Sequence, residues 1–158
     1  MSFQAFAQVP LGFQAQSKDD VRSQFGAICY RYLDRKAQIL LVTSRGTGRW
    51  IVPKGWPVPG ETPAGSARTE AFEEAGVEGV VHPTCVGLYS YTKECISGPD
   101  LPCVVALYAL RVRKVLRKFP ECSQRKRKWF SIKRAAAQVA EQELQEIIRN
   151  FDPRLLEI

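Results

Sequence analysis

The chain has 158 residues, 45% of them apolar and 25% charged, with a formal net charge of +7. That length suits one ordinary domain, able to bury ~70% of its unfolded surface without disulfide or metal staples. No apolar run nears the ~20 residues of a membrane span, and the first residues lack the basic-then-apolar plan of a secretory signal. The expected setting is therefore the cytoplasm, away from a membrane.

Residues 1–20 are polar and Gln-rich without periodicity, and are expected to form a loose arm before a single domain over 21–158. From Phe25 to Leu33 the chain alternates, with Ala27, Cys29 and Arg31 on one face and Ile28, Tyr30 and Tyr32 on the other, which is a strand pattern. Ile39 to Thr43 predicts a second strand, Ser44 to Gly48 a glycine-bearing loop, and Trp50 to Val52 a short strand stopped by Pro53. A helix follows. Thr62 suits its N-cap, Pro63 its first position and Gly76 the residue just past its end. Along it Ala64, Ala67, Ala71 and Ala75 form a smooth stripe that lets the helix lie close on a sheet. Thr84 to Tyr91 and Cys103 to Val112 predict further strands, joined through Gly98, Pro99 and Asp100, and Trp129 with Phe130 a last short one. A second helix is expected from about Lys133 to Asn150, where Ala140, Leu144, Ile147, Ile148 and Phe151 make one apolar stripe. This order of elements predicts an α/β fold with a mixed sheet between helices.

The five cysteines (Cys29, Cys85, Cys95, Cys103 and Cys122) are odd in number and scattered, which favours reduced thiols over disulfides or a zinc site. His82 has no partner at ligand spacing and reads as a loop or strand-edge residue. From Arg111 to Lys128 there are nine basic residues and a single acid, Glu121. Such a run is either a solvated surface or a field that gathers highly charged anions.

Between Gly55 and Val77 the spacing becomes chemical. Glu70, Glu73 and Glu74 stand at i, i+3 and i+4, within one arc of a helix. Like charges so placed cost ~0.2–0.5 kcal/mol per pair unless something neutralises them. A hard divalent cation does so with oxygen ligands, and Mg²⁺ usually arrives with a phosphate. The bland alternative, a solvated acidic face, does not explain Gly55, Glu61 and Gly76 at their spacings.

Together these residues resemble the signature box of the Nudix hydrolases, Gly-x5-Glu-x7-Arg-Glu-U-x-Glu-Glu-x-Gly-U, with U bulky and apolar. Gly55, Glu61, Glu70, Glu73, Glu74, Gly76 and Val77 match; Thr69 stands where the box has arginine, and the small Ala71 fills the first U position. The flanking Arg49-Trp50-Ile51-Val52-Pro53-Lys54-Gly55 and Arg125-Lys126-Arg127-Lys128-Trp129-Phe130 resemble the diphosphoinositol polyphosphate and diadenosine polyphosphate phosphohydrolase branch.

The resemblance implies an α/β/α sandwich and a Mg²⁺-dependent pyrophosphohydrolase, with Mn²⁺ as an alternative cation. It implies that Glu70, Glu73 and Glu74 bind metal, with the Lys54 carbonyl as a further ligand, that Glu70 is an alternative base, and that Glu61 is a supporting carboxylate. The expected substrate is a small-molecule polyphosphate, with nucleic acid less favoured. Arg45, Arg49 and Lys54 near the box, and Arg125, Arg127 and Lys128 beyond it, are the candidate phosphate contacts, since arginine forks suit phosphate oxygens. For each of these the competing reading is plain surface charge. Trp50 and Trp129 read as core residues rather than stacking platforms. In the family the box arginine holds neighbouring carboxylates through charge-assisted hydrogen bonds. Thr69 cannot do so, Arg68 points ~100° away around the helix, and Lys54 or Arg49 are candidate stand-ins. A simpler nucleoside diphosphate derivative as substrate, or a protein that binds phosphoanions or RNA without cutting, are the alternative functions.

Overall fold

The computed structural model describes residues 22–156; the N-terminal arm expected over residues 1–20 lies outside them. Among the described residues one seven-stranded mixed sheet organises the fold. Strand β1 (Arg22–Leu33) runs parallel to β6 (Leu101–Val115), and β6 pairs antiparallel with β5 (Val77–Lys93). On its other side β1 has two successive neighbours. Its second half pairs with β2 (Lys36–Thr43), from Cys29 opposite Leu40 to Leu33 opposite Lys36. Its first half takes β4 (Lys54–Gly55), with Phe25 opposite Gly55. The end of β2 meanwhile holds β3 (Trp50–Ile51), and its far edge holds β7 (Arg127–Ser131). The segment 50–55 thus enters where β1 and β2 part, which brings Gly55 beneath the first helix.

That helix, α1 (Pro63–Glu70), begins as its sequence dictates: the Thr62 hydroxyl accepts from the Gly65 amide at 3.0 Å. It does not end as a regular α-helix. Ala71–Ala75 form a π-helical turn closed by Gly76 at φ +64°, a wider winding often found at functional sites. Ala64, Ala67, Ala71 and Ala75 are all buried against Ala27, Cys29, Leu40, Val42 and Leu110 on one face of the sheet. The opposite face is covered by α2 (Ile132–Gln138) and α3 (Gln142–Arg149), which close over Ile28, Tyr30, Leu107 and Tyr89. The α/β/α sandwich implied by the box is the fold observed.

The single helix expected over 133–150 is two. Val139 adopts an extended conformation (φ −83°, ψ 150°) and is buried, while Ala140 is exposed. Gln145 Nε2 donates to the Val139 carbonyl at 2.8 Å, replacing the bond that a continuous helix would have made. The break lets Ala135 and Ala136 as well as Leu144 and Ile148 reach one face of the sheet. Strand β4 was also unforeseen, because two residues carry no period. His82 sits at an irregularity of the edge strand β5, where its Nδ1 accepts from the Thr84 amide. All five cysteines are free thiols. Among the described residues no helix is long and apolar enough to cross a membrane.

Candidate active site

The carboxylates of the box are distributed by the change of helical winding. Glu70 closes α1, and its carboxyl group lies over Gly55, where any Cβ would overlap it. A side chain there would push the Glu70 carboxyl group aside, so glycine leaves that group its place over β4. Glu74, in the π turn, points inward and is 7% exposed. Its Oε2 accepts from the Lys54 amide at 3.2 Å, and its Oε1 faces Arg125 Nη2 at 3.4 Å. Glu73 is half-buried, and its carbonyl accepts from the Glu121 amide at 3.0 Å. Glu61 lies just before the start of α1, its carboxylate against Gly65.

Burial raises the Glu70 carboxyl to about 7, with further upward pushes from Glu74, Glu73 and Glu121 and a downward one from Arg125. Burial likewise raises Glu74 to about 7, against the stabilising pull of Arg125 and Lys54. Both carboxyls are therefore protonated more readily than free ones, because burial disfavours their charged form. Among the described residues no three His, Cys, Asp or Glu side chains stand close enough to enclose a metal ion. Mg²⁺ does not require that. It is usually held by one or two carboxylates, with waters and substrate phosphates completing its shell. Glu70 and Glu74, an all-oxygen pair beside the Lys54–Gly55 backbone, fit a hard divalent cation.

Lys54 spans both sides of the sheet. Its amide holds Glu74, while its ammonium lies 4.9 Å from the centre of the Tyr91 ring on the opposite face. Burial lowers its pKa, partly countered by Glu74 and Glu141.

The six basic candidates do not form one wall. Arg125 is 7% exposed in its side chain and bonds to Glu74, Glu121 and the Thr43 carbonyl. Arg127 donates to the carbonyls of Ala75, Gly76 and Leu116, at the end of the box helix. Both are used inside the protein. Arg45 is exposed and reaches Gln124 at 3.1 Å and Glu121 at 3.7 Å. Arg49 is exposed beside Thr47 at 3.4 Å. Lys128 is exposed, its ammonium 5.3 Å from the Phe130 ring, and that ring packs edge-on against Trp50. Trp129 carries Arg31 at 4.1 Å. Both tryptophans pack against the core.

Glu121 is the site residue that the sequence reading missed. It pushes on both Glu70 and Glu74 and is held by Arg125. A signal existed: it is the single acid among nine bases in a segment that the fold returns to the box.

A family model described as NUDIX domain matches residues 22–151. Nudix hydrolase 12, mitochondrial, of Arabidopsis thaliana is 32% identical over 107 residues, 63% of this chain and 51% of that protein. Human diphosphoinositol polyphosphate phosphohydrolase 3-beta is 32% identical over 117 residues, 72% of this chain and 66% of that protein. The chain thus spans about half the length of the first relative and about two thirds of the second. Among solved structures, a C. elegans Ap4A hydrolase in a binary complex superposes with a TM-score of 0.64 at 25% identity, covering 85% of this chain and 98% of that one.

Proposed function

Because the chain belongs to the Nudix family, we propose that it is a Mg²⁺-dependent pyrophosphohydrolase, with Mn²⁺ as an alternative cation. Its proposed substrate carries a phosphoanhydride in a highly charged small molecule, such as a diphosphoinositol polyphosphate or a dinucleoside polyphosphate. The observation that carries the reading is Glu70 over Gly55 beside the buried Glu74, two carboxylates raised by burial at the meeting of helix and sheet. Two of the relatives are named for action on diphosphoinositol polyphosphates and on Ap4A, which supports that choice.

When bound, the cation would offset the charge of the anionic phosphorus and of the leaving phosphate. Glu70 and Glu74 would hold it. Glu73, half-exposed on the same turn, is placed to complete the set or to orient water. Glu70 is the alternative base: where Glu73 and Glu74 hold the cation without it, its carboxylate, raised by burial in the metal-free protein, can take a proton from water. Exposed Arg45 and Arg49 would meet the phosphate chain.

The inward turn of Arg125 and Arg127 favours a second reading, hydrolysis of a simpler nucleoside diphosphate derivative, because fewer cations remain to pair with many phosphates. The test is release of phosphate or nucleotide with Mg²⁺, Mn²⁺ or EDTA from diphosphoinositol phosphates, diadenosine polyphosphates, ADP-ribose and nucleoside triphosphates. Metal-dependent turnover is expected, with Glu73→Gln and Glu74→Gln each losing at least ~100-fold while keeping a native circular dichroism spectrum. Ligand-induced stabilisation without any product would make the protein a binder instead.

A further inference from the structure

The residue at the arginine position of the box is committed elsewhere. Thr69 turns its hydroxyl back to the Gly65 carbonyl at 3.1 Å, within its own helix. It offers nothing to the carboxylates. What meets them comes from a loop 51 residues beyond Glu74. Arg125 spreads one guanidinium over three partners: Nη1 donates to the Thr43 carbonyl at 3.0 Å, Nε lies 3.3 Å from Glu121 Oε1, and Nη2 lies 3.2 Å from that oxygen and 3.4 Å from Glu74 Oε1.

The loop that carries Arg125 is itself clamped. The Thr43 amide donates to the Lys126 carbonyl at 2.9 Å, and the Lys126 amide donates to the Thr43 hydroxyl at 2.8 Å. On the other side the Glu121 amide is bonded to the Glu73 carbonyl of the π turn. Arg125 is thus anchored at the end of β2 and seated on the turn that bears Glu73 and Glu74. Its side chain is 7% exposed and that of Glu74 8%, so solvent screens the pair little and the fork has few other geometries. A planar guanidinium bonded on several edges fixes direction as well as charge.

We propose that Arg125 is a positioning residue that holds Glu74 and Glu121 for the reaction, doing from the β6–β7 loop what an arginine at position 69 would have done from the helix. It acts through the carboxylates and touches no substrate. The kinetic half of the test rests on the hydrolase reading; the melting half does not.

The experiment compares the parent, Arg125→Met, Thr69→Arg and the double variant, with Arg125→Lys as a folded control. For Arg125→Met, kcat is expected to fall ~10–100-fold with KM unchanged. Without its guanidinium the acidic cluster repels itself, so Mg²⁺ should raise the Tm of Arg125→Met by more than it raises that of the parent. Adding Thr69→Arg should recover kcat and return the Mg²⁺-induced Tm increment to the parental value. Arg125→Lys should keep the parental increment yet lose kcat, since an ammonium cannot bridge three partners, and it carries the test if Arg125→Met fails to fold. The proposal is overturned by a parental kcat and increment in Arg125→Met, by a raised KM at unchanged kcat, or by a double variant no better than Arg125→Met. A parent without turnover would remove the hydrolase reading and leave the melting comparison to decide the role of Arg125.

Discussion

In the short run Arg125–Lys128, neighbouring cations have opposite environments. Arg125 and Arg127 turn into the protein, one against Glu74 and Glu121, the other against the carbonyls that end the box helix. Lys126 and Lys128, one position later in each case, stay exposed. An extended chain alternates its side chains, so a run of like charge is divided between two faces. The basic stretch is therefore two devices. Its inward half is used inside the protein, Arg125 at the site and Arg127 at the end of the box helix, and its outward half, with Arg45 and Arg49, is what remains to attract an anion.

Removing an inward cation that is not at the site isolates its structural contribution. Arg127→Met removes the guanidinium donor from the Ala75, Gly76 and Leu116 carbonyls, of which Gly76 keeps the Leu116 amide. A loss of about 1–3 kcal/mol in urea unfolding is expected, with kcat and KM unchanged well below the melting point. Unchanged stability would place Arg127 with the outward set.

A pH series shows how far Arg125 compensates for the acids it meets. Glu70 and Glu74 have folded-state values of about 7 against an ordinary 4.5, so the folded protein binds their protons more tightly than the unfolded chain does. Their contribution is fully present below pH 4.5 and is lost as pH rises through about 7. The metal-free protein should then melt lower at pH 8 than at pH 6, and saturating Mg²⁺ should reduce that slope. A metal-free melting temperature that rises over this range would show that Arg125 already neutralises the pair.

The smallest effects belong to the outward set. Arg49→Ala and Lys128→Ala should each change stability by less than ~0.5 kcal/mol. Each should raise KM for a polyphosphate by roughly two- to fivefold, the scale of an exposed charge pair, and less so at high salt. A change in kcat instead would bring either residue into the site.

Much of this was legible along the chain. Thr62, Pro63 and Gly76 mark the ends of the box helix because caps act on amides and carbonyls within a few residues of themselves. The four alanines announce a close helix–sheet contact because their period is that of the helix. Alternation marks β1, parts of β5 and β6 were also legible although both strands run longer than expected, and the acidic residues of the box follow from their spacing. What could not be read depends on residues distant in sequence. Val139 breaks the second helix, and the two short helices that result together cover one face of the sheet. β4 exists because β1 and β2 part there. Arg125 meets Thr43 across 82 positions and Glu74 across 51, and no local pattern encodes a meeting of that kind. Spacing along a helix or strand is a property of the chain, whereas the partner of a buried charge is set by which segments the packed core brings together.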